Sequence, residues 1–66
     1  MITCINLFTR TGILEGDVVF PITNLYDPDG DETDDPDDAV SAVGHLPDGR
    51  WVAFDLEGFG PLEPVN

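Results

Sequence analysis

Eight of the twelve residues from Asp27 to Asp38 are carboxylates: Asp27, Asp29, Asp31, Glu32, Asp34, Asp35, Asp37 and Asp38. No cation stands among them. Side chains of this type and density have three chemical uses. They ligate a hard cation, they work as an acid–base pair, or they offer a field of negative charge to water or to a basic partner. Acid–base work is the poorest fit, because a flexible charged loop does not hold two carboxyl groups in the dissimilar environments that separate their roles.

The other reactive residues do not change that. His45 is the single histidine and falls near an expected turn, where it reads as a solvent-exposed strand-end residue. Cys4, the single cysteine, sits in an apolar stretch with no neighbouring cation to activate it, so a buried inert thiol is expected. One cysteine also forbids an intrachain disulfide and a cysteine-based zinc site. A domain this small has little room for a pocket. The chain is expected not to be an enzyme and to carry no cofactor.

Calcium ligation is the serious alternative. Asp27, Asp29 and Asp31 alternate as the first three oxygen ligands of a calcium loop do. The Asp-Pro-Asp-Gly-Asp string also resembles the calcium-binding aspartate repeats of the thrombospondin type 3 kind. Counted from Asp27, however, the sixth position holds Glu32 instead of Gly and the twelfth holds Asp38 instead of Glu, and there is no second copy.

The third use fits the composition. Fourteen acids against Arg10 and Arg50, with no lysine, give a net charge of −12. That exceeds the magnitude of about 2–8 that solubility asks of a small domain. Such a surface disfavours nucleic acid and anionic membranes, whose phosphates need cations, and favours a basic protein. Duplex DNA carries about one charge per 1.7 Å, so a charge of −12 matches roughly 20 Å of duplex. Asp17, Asp48, Asp55, Glu15, Glu57 and Glu63 are candidates to extend the surface.

These side chains need elements to position them. At 66 residues and 41 % hydrophobic, the chain is one domain, residues 1–66, with a small core. Ile2 to Arg10 reads as a first strand, apolar on both faces and so central or covered. Ile13-Leu14 reads as a short apolar link. Asp17 to Thr23 forms a second strand, continued by Asn24-Leu25-Tyr26, with Pro21 making it an edge or marking a bulge. For residues 36–46 two readings compete. Asp35 and Pro36 suit a helix start, whereas Val40 to Leu46, Pro47-Asp48-Gly49 and Arg50 to Leu56 make a hairpin. The hairpin is preferred, preceded by at most one helical turn. Phe59 and Leu62, in an irregular Gly- and Pro-rich tail, are candidates to pack on the sheet. The scaffold residues expected are Ile5, Leu7, Val18, Phe20, Trp51, Val52 and Phe54. The fold class is mainly β, with α+β the alternative: a small antiparallel sheet of three or four strands and a long acidic loop. No apolar run approaches the roughly 20 residues of a membrane span, and a soluble, cytoplasmic protein is expected.

A chain of this size, without a catalytic constellation and with the extreme acidic excess of Asp27–Asp38, resembles the phage-encoded anti-CRISPR proteins. Within them it resembles the small acidic inhibitors of type I Cascade, the type I-C inhibitors in particular. The resemblance implies a DNA mimic in the host bacterial cytoplasm that binds the DNA-recognising surface of the effector complex, on its large subunit, and keeps target DNA away. It rests on size and the acid run across the whole chain, and transfers no role to a single residue. Acidic phage inhibitors of other DNA-binding proteins share the same features.

Overall fold

The computed structural model describes residues 2–58 and 60–65. They form seven strands and no helix: β1 (Ile2–Asn6), β2 (Thr11–Leu14), β3 (Val18–Tyr26), β4 (Glu32–Thr33), β5 (Ser41–His45), β6 (Trp51–Asp55) and β7 (Glu63–Val65). The expected mainly-β antiparallel class holds, with more and shorter strands than the three or four anticipated. All pairings are antiparallel, in the order β1-β2-β3-β5-β6-β7. β4 pairs the end of β3, Leu25 with Thr33 and Tyr26 with Glu32.

β3 is the axis of the sheet. Its first half pairs β2 and its second half pairs β5, with a bulge between Ile22 and Asn24 where the ladder changes. Pro21 is therefore central and not on an edge. The Ile22 N–H reaches the Arg10 carbonyl at 2.9 Å, so the neighbouring Thr11–Pro21 pair is a non-hydrogen-bonded one. The β5 ladder begins at Ile22. The missing N–H of Pro21 thus interrupts neither ladder.

The core covers one face of this curled sheet: Ile2, Phe20, Ile22, Leu25, Ala42, Leu46, Val52 and Phe54 are buried. Phe20 is fully enclosed and meets the Phe54 ring edge-on, centroids 5.9 Å apart. Its ring lies across two flanking glycines. A Cβ on Gly12 of β2 would come within 2.3 Å of the ring, and one on Gly44 of β5 within 2.5 Å.

Several expectations are corrected. β1 stops at Asn6, whose side chain accepts the Phe8 and Thr9 N–H groups in a turn, and Arg10 follows at φ 56°. Instead of lying centrally, β1 is an edge strand. A bulge between Ile2 and Cys4 shifts the alternation, so Ile2 joins the core while Cys4 is exposed and not buried. Ile13-Leu14 is no link but half of β2, and the tail contributes β7. For residues 36–46 the preferred hairpin holds, as β5 and β6, and the competing helix start at Asp35–Pro36 is a single turn. Val18 and Trp51, assigned to the scaffold, are exposed; Trp51 stacks on His45 at 4.3 Å on the outer face, where β5 and β6 pair them. Leu62 packs against the core, and Phe59 lies outside the described residues. Among the described residues no helix is long and apolar enough to cross a membrane.

Candidate polyanion surface

The acid run is built as two consecutive turns and a short strand. In the first, the Gly30 N–H donates to the Asp27 carbonyl at 3.0 Å and the Asp27 N–H to the Asp31 carbonyl at 2.9 Å. Pro28 presets its backbone for the second position, and Gly30, at φ 87°, takes the left-handed conformation that closes a β3–β4 hairpin. Asp27 Oδ1 accepts two backbone bonds, from Asp29 at 3.0 Å and Asp31 at 2.9 Å. The second turn repeats the device: Asp38 N–H donates to the Asp35 carbonyl, Asp37 N–H to Asp35 Oδ1, and Asp35 N–H to Thr33 Oγ1.

The eight predicted site residues therefore divide by role. Asp27 and Asp35 direct a carboxylate oxygen onto their own loop. Glu32 receives the Asn24 side-chain amide across the β3–β4 pair. Asp29, Asp31, Asp34, Asp37 and Asp38 are exposed, and among the described residues no hydrogen bond or ion pair engages their carboxylates. The Arg10 guanidinium reaches the backbone carbonyl of Asp34 at 3.4 Å, anchoring the chain without neutralising an acid.

Strand direction decides where these groups gather. β3 and β6 both run toward the end of the sheet that carries residues 27–40, and β5 starts there. The Tyr26 carbonyl accepts the Val40 N–H and the Val40 carbonyl accepts the Leu56 N–H, binding loop and strand ends together. Ala39 packs on the core beneath. Asp55 and Glu57 consequently join the acid run, bringing ten of the fourteen acids to one end. Glu15, Asp17 and Asp48 belong to the opposite end, with Arg50. There the Asp48 carboxyl is held below its ordinary range, first by the Arg50 backbone N–H at 3.0 Å. Desolvation opposes this, and the Arg50 guanidinium, at 2.7 Å, works in the same direction as the N–H.

No family model, curated protein or solved structure matches this chain.

The alternation of Asp27, Asp29 and Asp31 serves the hairpin: the Asp27 oxygen that would face a cation faces two N–H donors. Among the described residues no three His, Cys, Asp or Glu side chains gather in a group able to hold a metal. A concavity of about 260 Å³ is lined by Ser41, Ala53, Phe54, Asp55, Pro61 and Glu63. It falls below the roughly 300–1,000 Å³ of small-molecule sites. Sequence reasoning overlooked Asn24, Thr33 and Arg10, which hold the acidic loop. The available signal was Pro28-Asp29-Gly30, the same tripeptide as Pro47-Asp48-Gly49 in the recognised hairpin.

Proposed function

We propose that the protein is a non-enzymatic inhibitor that occupies the basic groove of a DNA-binding protein in place of the nucleic acid. The observation that carries this is the gathering of ten of fourteen acids at one end of a sheet whose longest extent is 31 Å. At about one charge per 1.7 Å, ten charges correspond to roughly 17 Å of duplex, a length that fits within the 31 × 25 × 18 Å of the molecule. Two turns fix the loop before any partner arrives, which lowers the ordering cost of association. Charge complementarity then supplies fast encounter and strong salt dependence. On the resemblance described above, the target is the large subunit of a type I-C effector complex in the bacterial cytoplasm. The same surface serves equally against another DNA-binding protein.

Asp29, Asp31, Asp34, Asp37 and Asp38 are the phosphate substitutes in this reading, and Asp27, Asp35 and Glu32 hold them in place. The test is displacement of a fluorescent target duplex from purified type I-C effector complex. Wild-type protein should displace it, and a variant with the five exposed aspartates changed to lysine should lose displacement while keeping its β-sheet circular dichroism. Undiminished displacement by the folded variant would remove the acid run from the contact. No displacement by wild type, with salt-eluted capture of some other DNA-binding protein, would move the target and leave the mimicry.

A further inference from the structure

We infer that the free edge of β1 is a self-association surface, through which two copies pair antiparallel into one continuous sheet. Two edges end the strand order, β1 and β7. Natural sheets blunt such edges with charge, proline or bulges, because unpaired N–H and C=O groups template further pairing. β7 carries Glu63 and Pro64 in its three residues. β1 carries neither charge nor proline, and its one irregularity is the bulge between Ile2 and Cys4. Just beyond it Phe8 is 98 % exposed, the most exposed large apolar side chain described.

Charge selects a second copy as the occupant. A chain of net charge −12 repels itself, yet its first nine residues contain no acid, and β2 behind them contains none. The β1 edge is thus where two copies meet with least repulsion. Strand polarity reinforces this. β1 runs toward the end of the sheet that carries the acids, so an antiparallel two-fold at β1 sends the two acidic ends in opposite directions. Full overlap of a five-residue strand with its own copy centres on Cys4, bringing Cys4 opposite its counterpart and carrying each Phe8 past the start of the other strand. Edges this short bury less than the roughly 1,200 Å² of a standard stable interface. The dimer is therefore weak and concentration-dependent.

Sedimentation velocity on the intact protein, from micromolar to millimolar loading, should show a monomer of 7.2 kDa giving way to a dimer. A short bis-maleimide should capture that dimer through Cys4. Moving the thiol to the acidic end, by Cys4→Ser with Asp37→Cys, should abolish capture. Cys4→Lys sets two like charges on the two-fold and should leave a monomer throughout; Thr3→Lys tests the same edge should the first variant lose its circular dichroism. A monomer at every concentration would overturn the proposal. So would equal capture from the variant that carries both Cys4→Ser and Asp37→Cys, or a dimer that survives both lysine variants.

Discussion

Asp27 and Asp48 show how the same side chain serves opposite purposes within one small fold. Both sit in a Pro-Asp-Gly hairpin, but Asp27 precedes the proline and accepts two loop N–H groups, whereas Asp48 lies inside the turn and faces Arg50. Asp48 is the acid whose environment clearly favours its charged form. Its folded-state pKa lies below the unfolded value near 3.8. It therefore adds stability above that value, and the contribution disappears as pH falls through the lower, folded pKa. A carboxyl-carbon NMR titration should find the Asp48 midpoint below the ordinary aspartate range. Arg50→Gln should raise it only part of the way, because the backbone N–H at position 50, the larger cause, is retained. A full return to the ordinary value in that variant would mean the guanidinium alone was responsible.

The strands are organised by the Phe20 ring and the two glycines it covers. An aromatic side chain on a central strand rests on neighbours that have no Cβ, which seals the core without a second sheet or a helix. Gly44→Ala puts a methyl group 2.5 Å from the ring and 3.2 Å from the Pro21 carbonyl, so either the ring or the β3 backbone must shift. Overpacking of this kind costs about 1–3 kcal/mol, and urea denaturation should show it; Phe20→Leu in the same chain should recover part of the loss. No loss in Gly44→Ala would mean that the ring swings freely. Little of this was legible beforehand. The role of Gly44 was hidden because it depends on a residue 24 positions earlier. The β5–β6 hairpin was legible because apolar runs flank Pro47-Asp48-Gly49. The β3–β4 hairpin has the same turn chemistry, but acids follow it, so binary pattern hid it. The edge position of β1 was invisible for a related reason. Alternation gives the covered faces of a strand, whereas a bulge that resets the alternation, as at Cys4, leaves no mark in the hydrophobic pattern.

At the scale of the whole molecule, the separation of core from charge makes the fold and the proposed complex respond to salt with opposite signs. Neighbouring carboxylates about 7 Å apart in water repel by about 0.6 kcal/mol per pair. Screening at about 0.1 M salt, where the Debye length is about 10 Å, removes repulsion across a 31 Å molecule but leaves it between adjacent acids. With charge spread evenly, stability would stop rising near that concentration. With ten of fourteen acids at one end, it should keep rising toward about 1 M sodium chloride, where the Debye length is about 3 Å. Unfolding relieves only part of the repulsion, because these acids are also close in sequence. A net gain of about 1–2 kcal/mol corresponds to roughly 7–14 °C in a domain this small. Melting temperatures between about 0.01 and 1 M should show that continued rise, and the five-lysine variant should show a much flatter one. Over the same interval a complex held by carboxylates in a basic groove must weaken, since screening removes its attraction. A melting temperature that levels off by about 0.1 M would disperse the charge; a complex indifferent to salt, on a fold that salt strengthens, would place the contact away from the acids.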